Sequence, residues 1–212
     1  MAITSKGILG RYYGKVGEVV GSSWRGIHYV KSLPKRIKRA TSEKILNQQA
    51  KFRVAVNFLT PLHEFIKNSY NDKKQFLMTA NNNALGEVLR NAVIGNLPNI
   101  KIDYSKVVIS KGKLPPLIKL SFVRQINKVD LKWGKIGSYL TSVPDSPVKF
   151  VIYVESKNVF LQDSGATRSS SEYSLSLESY EKGDKVVIWV LCTNKELTKF
   201  SNSVYLGEFI IQ

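Results

Sequence analysis

The apolar positions fall into two regimes that change near residue 100. Before it they recur at helical spacing over a long stretch; after it they alternate with polar residues in short runs. Ile45, Gln49, Phe52, Val56 and Leu59 form one stripe of a helix that starts after Thr41-Ser42. Either hydroxyl suits the N-cap, and Glu43 is favourable in the first turn. Lys44, Gln48 and Lys51 lie on another face. Pro61 opens a second helix through Leu62, Phe65 and Ile66. A third runs from about Lys73 to Arg90, with Asn81-Asn82-Asn83 as a point of breakage and Gly95 as its C-cap.

Upstream of the helices, Gly7, Gly10, Gly14, Gly17, Gly21 and Gly26 separate short β-forming runs. The economical reading is two or three antiparallel strands bent at Tyr13-Gly14 and at Gly21-Ser22-Ser23. Pro34 ends this segment and residues 35–40 form a basic connector. Downstream, strands are expected at 106–110, 117–123, 129–133, 149–155, 159–162, 173–177, 185–191 and 204–211, with Gly, Pro and Asp turn signals between them. Short strands at this spacing predict an antiparallel β-sandwich of immunoglobulin or fibronectin-III type, with Trp133 and Trp189 as core anchors. The expected fold class is α+β. A glycine-rich β-hairpin and a small helical unit occupy residues 1–99, the sandwich occupies 100–212, and residues 96–102 link them.

Charge changes this picture most. The formal net charge is +16, from 32 basic and 16 acidic side chains. Residues 1–120 hold 21 of the basic and only 6 of the acidic groups, so the excess belongs to one half of the chain. Lys31, Lys35, Arg36, Lys38 and Arg39 fall within nine residues that contain no acid. Such concentration points to a polyanionic partner rather than to general solubility. Cys192 is the single cysteine, which excludes an internal disulfide framework and a Cys-based zinc site. No signal-peptide pattern and no apolar run of membrane-spanning length is present. The expectation is a product located in the cytoplasm, or within a particle assembled inside a cell, with no membrane partner.

Catalytic constellations are missing from the pattern. Only His28 and His63 could serve as imidazole bases; one lies in an expected strand and the other beside Glu64 in a first helical turn. Gly14-Lys15 is followed by Val16, not the Ser or Thr of a phosphate-binding loop. No HExxH motif, acidic cluster or EF-hand loop appears. Cys192 follows an apolar run and reads as a small buried hydrophobe. No enzyme, metal or cofactor is expected.

What remains is a basic stretch interleaved with aromatics. Arg11, Lys15, Arg25, Lys31, Lys35, Arg36, Lys38 and Arg39, with Lys44 and Lys51 on the first helix, are the candidate contacts to phosphates. Tyr12, Trp24 and Tyr29 would either stack on bases or fill a small β core. The runs Gly7-Ile8-Leu9-Gly10, Gly14-Lys15-Val16-Gly17, Val20-Gly21-Ser22-Ser23-Trp24-Arg25-Gly26-Ile27 and Tyr29-Val30-Lys31-Ser32-Leu33-Pro34 resemble a family of small basic proteins of Bacteroidota, a domain of unknown function. The likeness extends to Gln49-Ala50-Lys51-Phe52, Ile102-Asp103-Tyr104-Ser105-Lys106, Ser164-Gly165-Ala166-Thr167-Arg168-Ser169 and Ser201-Asn202-Ser203-Val204-Tyr205-Leu206-Gly207. It covers nearly the whole chain, implies one architecture throughout, and brings no catalytic residues. A looser likeness of the Trp-Arg-Gly…Pro…Gln…Phe pattern is to phage-encoded structural proteins. Two functions are therefore expected. One is a non-enzymatic protein that binds nucleic acid or another acidic polymer through its N-terminal segment. The other is a structural subunit of a phage-like particle or other assembly, using the β arm and sandwich for contacts with a protein partner or with itself.

Overall fold

The computed structural model describes residues 2–3, 12–35, 42–70, 78–134 and 145–211. They belong to two compact units, Met1–Glu43 and Lys44–Gln212. The first unit is an antiparallel sheet of β1 (Ala2–Ile3), β2 (Gly14–Val16), β3 (Val19–Trp24) and β4 (Ile27–Ser32), in the order β1-β4-β3-β2. Its turns fall at Gly17-Glu18 and Arg25-Gly26, not at the two bends expected from the glycine spacing. Gly21 lies inside β3, where a Cβ would come within 2.8 Å of the Tyr12 ring. That glycine permits a close approach rather than a turn.

The second unit opens with α1 (Glu43–Leu59), a single 3₁₀ turn over Thr60–Leu62, and α2 (His63–Ser69). After α3 (Ala80–Asn91), a two-strand ribbon of β5 (Val93–Ile94) and β6 (Lys101–Ile102) leads to the sandwich. The sandwich has one sheet of β7 (Ile118–Gln125), β8 (Lys128–Gly134) and β11 (Glu172–Ser176), ordered β11-β8-β7. The other contains β9 (Pro147–Val154), β10 (Val159–Thr167), β12 (Lys185–Cys192) and β13 (Val204–Ile210), ordered β10-β9-β12-β13. Every pairing is antiparallel.

Side-chain alternation on β9 and β12 organises this unit. Val148, Phe150, Ile152, Val186, Ile188, Val190 and Cys192 face the three-stranded sheet and pack with Val129, Leu131, Trp133 and Leu175. The intervening Val151, Tyr153, Val187, Trp189 and Leu191 face the other way, onto Phe58, Leu62, Ile66, Val88 and Ile109. The four-stranded sheet is thus covered on both faces, by a second sheet and by helices, and its central strands are buried along almost their whole length. The boundary expected at 99/100 does not coincide with the observed division, because α1–α3 share a core with the sheet. The expected linker at 96–102 is itself tied down. Asn47 Nδ2 donates to Asn96 Oδ1 at 2.8 Å, and Leu97 N donates to Asn47 Oδ1 at 3.0 Å.

Four local expectations change. Of the expected α1 stripe, Ile45, Gln49 and Phe52 are exposed, Val56 is half-buried and Leu59 is buried; the buried side is centred on Ala55, Phe58 and Leu59, continuing to Leu62. Residues 106–110 form no strand. The Val108 carbonyl accepts from Tyr70 Oη, the Ile109 carbonyl from Ser69 Oγ, and Ile109 N donates to Ser203 Oγ, so side chains take the bonds a neighbouring strand would supply. Residues 71–77, where the third helix was expected to begin, lie outside the described residues. Thr79 caps α3 by accepting from Asn82 N, which places Asn81–Asn83 in the first turn rather than at a break. Gly95 sits beyond β5 with φ of 83°, not at the helix C-cap, which is Ala92.

Candidate functional site

The small N-terminal sheet and its turns carry three of the ten candidate cations, Lys15, Arg25 and Lys31. Arg25 and Gly26 both have left-handed backbone, φ 48° and 81°, which is the turn geometry matched to the twist of a two-residue hairpin. It fixes the register Trp24↔Ile27, Ser23↔His28, Ser22↔Tyr29, Gly21↔Val30 and Val20↔Lys31. On the other side of β3, Lys15 pairs with Val20. Directly opposed residues of an antiparallel pair share a face. Lys15, Val20 and Lys31 therefore form one row across three strands, Ser22 and Tyr29 the next, and Trp24 and Ile27 the third.

Both lysines of the strands lie on this face, together with Tyr29 and Trp24, and no strand residue of the sheet is acidic. Lys15 and Lys31 are exposed, and Trp24 is 47% exposed. The opposite face carries no strand lysine; it holds Val16, Val19, Ser23, His28, Val30 and Ser32. There Tyr13 meets the His28 ring edge-on at 5.7 Å, with Tyr13 Oη 3.3 Å from His28 Nδ1. Arg25 stands at the hairpin tip, with about 13 Å of β4 between Ile27 and Lys31. Lys35 is exposed beyond Pro34. Arg11, Arg36, Lys38 and Arg39 lie outside the described residues. On α1, Lys44 is exposed and Lys51 half-buried, two turns apart and on the side of the helix that carries Ala55 further along.

The larger unit contains a second feature that sequence reading missed. A cavity of about 480 Å³ is lined by Phe58, Tyr104, Tyr153, Glu155, Lys185 and Glu208, among others. Lys185 Nζ lies 2.7 Å from Glu208 and 3.2 Å from Glu155, and 5.3 Å from the centre of the Tyr104 ring. Tyr104 Oη donates to Glu155 at 3.0 Å, and Tyr153 Oη to Asn158 at 3.2 Å. The hydrogen bond from Lys185 to Glu208 holds its ammonium above the ordinary lysine range. Burial pushes both phenols up. The acids are thus engaged by an ammonium and the phenols stay protonated, so these groups bind one another and close the seam between α1 and the sheet. Asn158 Nδ2 adds a bond to the Asn57 carbonyl at 3.3 Å. Three strands, α1, a 3₁₀ turn at Tyr104 and a loop contribute, with no local motif to mark them.

The residues considered for chemistry are dispersed. His63 is exposed beside Glu64 at 4.0 Å, and Cys192 is fully buried, its thiol pushed up by that burial. Among the described residues no group of three or more His, Cys, Asp or Glu could hold a metal ion. No helix among them is long and apolar enough to cross a membrane.

Fold and site together define an α+β protein with a helix-backed antiparallel sandwich in one unit and a basic four-stranded sheet in the other. The chain belongs to a family of unknown function (DUF6266), whose profile matches residues 10–207. No curated protein matches it. Among solved structures it is similar to a computationally redesigned β-sandwich protein, at 13% identity over 47% of this chain and 91% of that one, with a TM-score of 0.34. It is also similar to the fn3 domain of human collagen alpha-1(XX) chain, at 15% identity over 49% and 85% of the two chains, with a TM-score of 0.32. Likenesses at this level carry no argument about function.

Proposed function

We propose that the protein binds a polyanion, nucleic acid foremost, through its basic N-terminal segment, and performs no chemistry of its own. The observation that carries this reading is the segregation of Lys15 and Lys31 onto one acid-free face of the N-terminal sheet. The same segment contributes twelve basic and two acidic residues up to Arg53. The sandwich acts as a scaffold; its strand order is what favours the fibronectin-III class over other sandwiches. With about six to nine cations engaged, affinity falls by orders of magnitude between low and moderate salt. Replacing Lys35, Arg36, Lys38 and Arg39 together by Ala removes most of the binding and leaves the thermal transition in place. Fluorescence anisotropy with labelled oligonucleotides over a salt series measures both effects. Salt-independent binding, or none at about 50 mM salt, overturns the proposal.

A second reading, a structural subunit of a phage-like or other assembly, draws on β7. This edge strand and its turn expose Ile118, Phe122, Val123 and Ile126, the last at 76%. The outer edge of a sheet is a template for strand addition, although Lys119, Arg124 and a bulge between Ile118 and Ser121 interrupt this one. Size-exclusion chromatography with light scattering separates the two: a large homo-oligomer free of nucleic acid favours assembly, a monomer or dimer favours the binder. Either role is placed in the cytoplasm or in a particle assembled there.

A further inference from the structure

The basic face of the N-terminal sheet holds rings as well as charges, and their order is informative. From one end to the other it presents the row Lys15–Val20–Lys31, then Ser22–Tyr29, then Trp24–Ile27, and ends at the Arg25-Gly26 turn. We propose that this face takes single-stranded nucleic acid, with Lys15 and Lys31 on phosphates and Tyr29 and Trp24 against unstacked bases. The proposal rests on the polyanion reading and narrows it to one ligand class.

Spacing argues for a single strand. Same-face rows of a sheet lie about 6.7 Å apart, roughly twice the 3.4 Å step between bases along one strand of a duplex. Bases reaching successive rows must therefore leave the stack, and a duplex offers no base faces to Tyr29 or Trp24. A β-ribbon can also enter a major groove, but there it reads base edges with polar and charged side chains. Beyond the lysine row this face offers Ser22, Tyr29, Trp24 and Ile27, a surface suited to ring stacking. The acid nearest in sequence, Glu18, lies in the turn between β2 and β3 and not on a strand.

The test uses the full chain and three probes: a labelled oligothymidylate of about 20 nucleotides, a duplex of equal length, and inorganic polyphosphate. Of the three tryptophans, Trp133 and Trp189 are 5% and 0% exposed, so quenching of the intrinsic emission reports Trp24. The expected result is quenching by oligothymidylate but not by polyphosphate, and tighter binding of the single strand than of the duplex. Trp24→Ala weakens oligothymidylate binding about 5- to 150-fold and leaves polyphosphate binding unchanged; Trp24→Phe restores most of the loss. Salt-dependent binding of all three probes without quenching, or preference for the duplex, overturns the single-strand proposal and leaves the polyanion reading standing. Failure to bind any of the three overturns both.

Discussion

Trp133 and Trp189 are both buried, but their indole N–H groups are treated differently. Trp133 Nε1 donates to the Arg168 carbonyl at 2.9 Å, whereas Trp189 Nε1 has no acceptor among the described residues. Phenylalanine at 189 removes an unsatisfied donor along with some apolar area; at 133 it strands a buried carbonyl. Trp133→Phe is expected to cost about 1–2 kcal/mol more than Trp189→Phe, measured by urea denaturation. Acid sensitivity also belongs to named side chains. Glu87 is held below its ordinary 4.5 chiefly by the hydrogen bond from Lys111, and Asp184 below 3.8 chiefly by Ser156. Each binds fewer protons folded than unfolded, so its contribution is present above its unfolded pKa and is lost as pH falls through the folded one. The melting temperature is expected to drop as pH falls below about 4.5, and Glu87→Gln to flatten part of that drop.

At the scale of elements, α1 shows how two apolar stripes on one helix divide between burial and exposure. Phe52 is 49% exposed and Phe58 is 3% exposed, six residues apart on the same helix. Phe58 meets Tyr153 and Phe160 edge-on at 5.2 and 5.4 Å. Phe58→Ala should cost about 3–5 kcal/mol, while Phe52→Ser stays within about 0.5 kcal/mol; parallel thermal melts check the contrast. Helical periodicity located α1 but could not choose between stripes, since that depends on which side the sheet occupies. The strands from β7 to β13 were readable because alternation and turn residues are local signals. Residues 106–110 alternate just as well yet form no strand, because the hydroxyls of Ser69, Tyr70 and Ser203 satisfy their backbone from distant parts of the chain.

For the whole molecule, both hydrophobic cores lie within residues 44–212, and among the described residues neither includes a side chain from the first 43. A chain beginning at residue 44 is therefore expected to keep a cooperative transition and the near-ultraviolet signal of Trp133 and Trp189. Circular dichroism of the truncated protein measures both, and loss of the transition would refute the division. The candidate interface was legible in part. Lys15, Arg25, Lys31 and Lys35 stand out as charges in the sequence, and Trp24 and Tyr29 as possible stacking rings. That Lys15 and Lys31 share a face with both rings follows only from strand register, which the Arg25-Gly26 turn sets between β3 and β4 and the Gly17-Glu18 turn between β2 and β3.

The sequence alone determined the strand-rich second half, the helices before it, and the basic excess at the N-terminus, because periodicity, turn chemistry and charge are properties of neighbouring residues. Tertiary structure decided what each apolar face meets. The run Val186–Leu191 is apolar at every position, the pattern of a strand buried on both sides. Only packing shows that one side meets a second sheet and the other meets helices. The Lys185–Glu155–Glu208 cluster likewise exists only once three strands lie side by side, since electrostatic partners are chosen by distance in space and not along the chain.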